Sequence, residues 1–494
     1  MTGAFLLAAA TAAAVFNDRM VLQRERPVPV WGTAAPGETV KVSFAGQDVT
    51  GVADGTGRWR VDLRPMKASK EGRDLVISSA NQTIGQSNNR TIFRDVLVGE
   101  VWFASGQSNM ELPIWGVSPH RRDEYGAQVV QTLRNPYVRY AKTANYKWSE
   151  TPKADFAEPV VWKDFTKENL LNQRDEWGRG TFSAVGVYYA LELYHALDVP
   201  VGVIGAYWGG TRIEPWIPKE GFDSITNGAT LAARKRSDAK QNACVLWNEQ
   251  VAPWAPFAIR GVIWYQGCTN VGDSGDYCGL MHALYNGWSK AFGREDLRLY
   301  FVQLAPYRYD GRLADDFPPL QEAQAKFAAE EPNAGMVVTS DVGNPEDCHP
   351  NRKLVVAKRL SLLALKRDYG FDDIVADSPT LRLWKVEDAK FVLSFDHVTR
   401  WSMYSPDFSV DSGFEVAGTN GVWRPAELVN LAVREKGRYQ SKGFVNGCDL
   451  VVAAKDVPQP VRLRYLHREP WYGALQNEVG LPLGPFHIEK PEEK

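Results

Sequence analysis

The sequence predicts an α/β protein: a parallel sheet core covered by helices, flanked by all-β domains at the N- and C-terminal ends. Three observations carry that prediction. Residues up to about 94 alternate polar and apolar with period two and show no helical period. From 95 to about 370, strand-like runs alternate with helical stretches, as in a parallel sheet covered on both faces. From about 381, short strand-like runs return, separated by Gly, Asn and Pro. The expected domains are therefore 1–94, 95–375 and 376–494. A chain of 494 residues is longer than one hydrophobic core usually serves, which agrees with two or three domains.

The elements follow in order. "MTGAFLLAAATAAAVF" is Ala-rich with an AxA-like end, so it resembles the apolar and cleavage regions of a signal peptide without the basic start. Export, to the outside or the periplasm, is the expectation; a first strand leading into "VFNDRMVLQ" is the alternative. "VKVSF" and "WRVDL" alternate, and "ADGTGRW" between them has hairpin chemistry. In the middle region the strands are "VLVGEVWFA", "VPVGVIGAY", "IRGVIWYQ", "RLYFVQLA" and "GMVVTSD". Residues 183–197 place Val185, Tyr189, Leu193 and Leu197 on one helical face. "GLMHALYNGWSKAF", "LQEAQAKFAAE" and "NRKLVVAKRLSLLALKRD" read as further helices. "AKFVLSF", "CDLVVAAK" and "VRLRYL" are the C-terminal strands.

Composition removes several function classes. The net charge is −2, so no basic field argues for nucleic acid or an anionic membrane. Beyond the start, no apolar stretch is long enough to span a bilayer. The five cysteines, Cys244, Cys268, Cys278, Cys348 and Cys448, are too sparse for a disulfide framework. CxxC, HExxH, EF-hand and GxGxxG motifs are missing and the seven His are scattered singly, so no metal or cofactor is called for. Most of the 17 Trp are expected in the core.

In an open parallel sheet, ligands bind beyond the carboxyl ends of the strands. Four polar or Gly-rich segments follow strands here: "GQSN", "WGGT", "YQGCTN" and "PEDCHP". Acyl transfer needs an activated nucleophile, an oriented base and donors for the oxyanion. Ser108 offers the hydroxyl. His349 offers the base, with Pro350 suited to a first helical turn and Asp347 or Glu346 to hold the ring. Gly209 and Gly210 let backbone N–H groups approach a ligand. Gln266 and Asn270 offer side-chain amides. Trp115, Trp208 and Trp216 lie in or near these loops, where a ring can stack on a sugar or pack in the core.

These residues carry a resemblance. "GEVWFASGQSNM", "FSAVGVYYALEL", "YWGGTRIEPW", "GVIWYQGCTN", "YFVQLAPY" and "DCHPNRK" resemble the sialate O-acetylesterases and their acetylxylan-esterase relatives, within the SGNH hydrolases. The similarity extends into both flanks, from "FNDRMVLQ" to "NEVGLPLGPF". It implies a flavodoxin-like SGNH-hydrolase core. It also implies a cofactor-free serine esterase that removes acetyl groups from sialic acid or another O-acetylated glycan. Carried over by position, Ser108 is the nucleophile and His349 the base. Gly210, Gln266, Asn270 and the Ser108 N–H are the oxyanion candidates, and Asn109 could cap the next helix. For the acid the resemblance favours Asp347, although many SGNH enzymes place it three residues before the His, where this chain has Glu346. Cys268 stands where the family usually has Glu, and Cys348 where an aliphatic residue is common. The two thiols either pack as small hydrophobes or cross-link their loops, with Cys278 a competing partner for Cys268. A non-catalytic glycan-binding protein is the rival from another class.

Overall fold

A 17-residue strand, Arg90–Gly106, organises the first part of the molecule, and its residues from Leu97 to Gly106 are buried. The computed structural model describes residues 10–79, 90–114, 123–143, 146–171, 182–307, 317–344, 346–403, 412–430, 432–433, 443–467 and 475–490. The chain forms two compact units, one of residues 1–264 and 282–299, the other of 265–281 and 300–494.

In the first unit, the beginning of Arg90–Gly106 pairs antiparallel with Ser69–Ser79, and its middle pairs parallel with Val21–Gln23. Its end pairs parallel with Val201–Tyr207, which sets Tyr207 opposite Gly106. One strand thus runs through position 94, where the sequence texture changes. Val201–Tyr207 also pairs parallel with Arg134–Lys142, and Trp162–Thr166 closes that edge antiparallel. The sheet is therefore mixed, not purely parallel as expected. Gly261–Tyr265 follows on the other side of Arg90–Gly106.

Glu100 fixes the middle of this long strand. It is fully buried, and it accepts from Arg24 Nε at 2.5 Å, Arg260 Nε at 3.1 Å and Gln23 Nε2 at 3.1 Å. Burial raises its pKa, but hydrogen bonds and charge from Arg260 and Arg24 outweigh that and hold the carboxyl below its ordinary value.

The expected hairpin around "ADGTGRW" is not formed. Thr39–Phe44 pairs with Gln47–Val52 across Ala45–Gly46, both at positive φ (49° and 75°), as a two-residue hairpin turn requires. "ADGTGRW" makes a tight turn held by Asp54, but the strand it leads into, Arg58–Leu63, pairs with Val28–Thr33 in a separate sheet. At the start of the chain, Thr11–Ala12 pairs with Gly32–Thr33, and Val15 and Phe16 are buried. That end of the leader-like stretch is folded into the unit; residues 1–9 lie outside the described part.

The predicted helix appears as Ala184–Leu197, with Ser183 Oγ accepting from Gly186 N at 3.0 Å as its cap. Among the described residues, seven tryptophans are fully buried. Phe103 meets Trp288 edge-on at 5.3 Å and Trp254 at 6.3 Å. Such contacts add about 0.5–1.5 kcal/mol each beyond the area they bury.

The second unit holds Ala334–Val337, the helices Phe317–Glu330 and Lys353–Asp368, and three four-stranded sheets. Lys390–Asp396 alternates inward Phe391, Leu393 and Phe395 with outward Lys390, Val392, Ser394 and Asp396. With Trp401, Phe414, Leu450, Leu463 and Tyr465 these build the C-terminal core. Among the described residues no helix is long and apolar enough to cross a membrane.

Candidate active site

Ser108 begins a four-residue helix, Ser108–Glu111, directly after the buried strand. Gln107 is the N-cap in extended conformation, and its carbonyl accepts from Met110 N at 2.8 Å and Glu111 N at 2.9 Å. The cap is therefore Gln107; Asn109, weighed as a capping residue, is buried inside the turn. Between buried Gln107 and Asn109, Ser108 is half-buried. The strand-to-helix change lifts one hydroxyl from a core-facing element, with the N-terminal N–H groups of the turn beside it.

The segment after Val201–Tyr207 lies next to this turn. Trp208 N donates to Gly106 O at 3.2 Å, and Gly209 N donates to Glu111 Oε2 at 2.6 Å. A Cβ on Gly209 would sit 3.2 Å from Ser108 Cβ and 2.8 Å from Glu111 Oε2, so glycine allows this close approach without displacing Glu111. Gly210 has φ +71° and is exposed, with open space around it. Glu111 thus takes up the Gly209 N–H. Glu111 Oε1 accepts from Tyr146 OH at 2.5 Å. Trp208 is half-buried against Tyr146, with ring centroids 5.1 Å apart. Trp216 is fully buried and donates to Thr211 Oγ1, so it is a core residue. Trp115 lies outside the described residues.

The second unit carries the imidazole. His349 Nδ1 is 2.8 Å from Asp347 Oδ1, which also accepts from His349 N at 3.0 Å. Both side chains are largely buried, while Glu346 is exposed. A carboxylate on Nδ1 fixes the tautomer, and Cys348 Sγ lies 3.4 Å from Nδ1 and 3.8 Å from Nε2. Pro350 does not open the following helix as expected: Arg352 is the N-cap and the helix starts at Lys353.

Gln266 and Asn270 are fully buried, and Gln266 Nε2 donates to Asn270 Oδ1 at 2.8 Å. Tyr277 OH donates to Gln266 Oε1 at 2.8 Å, and Gln324 Nε2 donates to the Gln266 carbonyl at 3.2 Å. Gln266 thus holds the Asn270 side chain through its Oδ1. No disulfide joins any of the five cysteines, so the Cys268–Cys348 cross-link is not formed. Both thiols flank Tyr265. Burial first, and then these two groups, push its phenol well above the ordinary range. Lys353 Nζ lies 5.3 Å from the centre of the Tyr265 ring.

Ser108 and Gly210 thus belong to the first unit, and Gln266, Asn270, Asp347 and His349 to the second. Sequence reasoning missed Glu111, Tyr146 and Tyr277. Glu111 left one signal, an acid three residues after the serine in "SNME". Its partners come from 35 and 98 positions away, beyond any local pattern.

The comparisons with known proteins agree with this chemistry. The family model for carbohydrate esterase, sialic acid-specific acetylesterase, matches residues 98–358. The chain is 30% identical to human sialate O-acetylesterase over 465 residues, 85% of this chain and 83% of the relative. It is 28% identical to the mouse sialate O-acetylesterase over 423 residues, 74% of this chain and 75% of that one. A solved carbohydrate acetylesterase from Xanthomonas citri superposes with a TM-score of 0.81 at 30% identity, covering 97% of this chain and 99% of that chain. The mixed sheet with flanking all-β sheets is therefore a carbohydrate esterase fold. The chain belongs to the family of sialic acid-specific carbohydrate acetylesterases and is a carboxylic ester hydrolase.

Proposed function

We propose that the protein is an SGNH-type serine esterase that removes O-acetyl groups from sialic acid through an acetyl-enzyme on Ser108. The observation that carries this reading is the Asp347 carboxylate 2.8 Å from His349 Nδ1, which holds the imidazole in the tautomer a general base uses. His349 takes the Ser108 proton as Oγ attacks the acetyl carbon. The oxyanion that forms accepts from Gly210 N, the Ser108 N–H and Asn270 Nδ2. The ester C–O bond breaks as His349 returns the proton to the departing sugar oxygen. Water, deprotonated by His349, then attacks the acetyl carbon; the bond to Ser108 Oγ breaks as His349 returns that proton to Oγ, and acetate leaves. No metal or cofactor enters these steps.

Support for sialic acid comes from the family and from relatives named sialate O-acetylesterases. The Xanthomonas relative, described as a carbohydrate acetylesterase, supports acetylated xylan or another glycan as the competing substrate. Trp208 beside Tyr146 is the aromatic surface we assign to the sugar. The test is acetate release from O-acetylated sialic acid and acetylated xylo-oligosaccharides in competition. Higher kcat/KM on the sialic acid supports the reading. Higher kcat/KM on the xylo-oligosaccharide moves the assignment to acetylxylan, and no release from either leaves a glycan-binding protein.

A further inference from the structure

A second cluster lies in the C-terminal part of the second unit. Glu322 is on the helix Phe317–Glu330, His467 follows the strand Arg462–Tyr465, and His487 is in the strand Phe486–Glu489. The two strands are neighbours, with Arg464 opposite His487. His467 Nε2 is 2.7 Å from Glu322 Oε1, and His487 Nδ1 is 2.8 and 2.7 Å from the two carboxylate oxygens. The imidazole rings are 5.6 Å apart at 71°, so both turn a nitrogen toward the same carboxylate. One ligand atom from each residue falls within 4.8 Å of the others.

We propose that Glu322, His467 and His487 bind a zinc-class divalent transition-metal ion that clips the two strands to the helix. Two imidazoles and a carboxylate are a ligand set suited to zinc, with water in a fourth position. The present separations are hydrogen-bond lengths. Tetrahedral coordination with bonds of about 2.0–2.2 Å needs ligand atoms about 3.3 Å apart, so the cluster opens by about half an ångström. His487 has the freedom to move, being 60% exposed, and the Glu322 carboxylate must also turn away from His467 Nε2, now 2.7 Å from its Oε1. On binding, each neutral imidazole carries its proton on the nitrogen away from the metal. His467 then binds through Nε2 and His487 through Nδ1.

The test uses the full chain with Co²⁺ as a spectroscopic probe and Zn²⁺ as competitor. The expected result is one Co²⁺ per chain with visible d–d absorption and no thiolate charge-transfer band, displaced by Zn²⁺. Zn²⁺ should also raise the melting temperature. His487→Ala removes an exposed ligand, and it should weaken metal binding about tenfold or more and abolish the thermal shift. Glu322→Gln, which keeps the shape, should do the same. Absence of binding overturns the proposal, as does binding that both variants retain. A thiolate band also overturns it and assigns the ion to a cysteine-containing group such as Asp347–Cys348–His349, whose ligand atoms also converge.

Discussion

His349 is useful as a base only if its ring is held in one tautomer, and Asp347 is the residue placed to hold it. Asp347→Asn keeps the shape and removes the charge. It should lower kcat on the order of 10²–10⁴-fold with little change in KM, because the loss falls on the imidazolium formed in the transition state. Steady-state kinetics check this, and a near-normal kcat would assign the orienting role elsewhere. Gly209→Ala tests the other half of the site. The new Cβ meets the end of Glu111 and the Cβ of Ser108, at 2.8 and 3.2 Å. The flexible Glu111 gives way and the Gly209–Glu111 hydrogen bond is strained. We expect kcat to fall about 10²-fold, as for a displacement near 1 Å, while the protein still melts cooperatively. At this scale the sequence was legible where a residue's neighbours in the chain define its role. Asp347 and His349 are two apart, and Gln266 and Asn270 four apart. Glu111 was illegible because its partners arrive through the fold.

Among elements, Arg90–Gly106 carries the most. It pairs with strands on both sides along its length, and Glu100 ties it to Arg24 and Arg260. Glu100→Gln leaves the two guanidinium groups without their shared charge and should cost about 3–5 kcal/mol. The folded pKa of Glu100 lies below its ordinary 4.5, so its contribution is complete above about 4.5 and is lost as pH falls through the lower folded value. Urea unfolding between pH 3 and 7 should show this acid limb in the natural protein and a shallower one in the variant. Equal slopes would contradict the assignment. The main strands and helices were legible because buried runs and helical periods are local. The hairpin was not: Ala45–Gly46 lacks the Asn or Asp that usually marks such a turn, whereas "ADGTGRW" advertises one while its flanking strands go to different sheets. The antiparallel edge strand Trp162–Thr166 also escaped, since its five residues show no strict alternation.

For the whole molecule, the order of textures, β then α/β then β, was readable because each follows from a different hydrophobic period. The two compact units divide the chain differently, because contacts between strands ignore sequence order. The central claim is that the protein is a serine esterase acting through Ser108. The most direct measurement is active-site labelling with a phosphonate serine reagent, mapped by mass spectrometry and paired with acetate release by Ser108→Ala. The account predicts a single adduct on Ser108, blocked when substrate is present, and a loss of turnover of about 10³-fold or more in a folded variant. An adduct on another serine, or near-normal acetate release by Ser108→Ala, would contradict it.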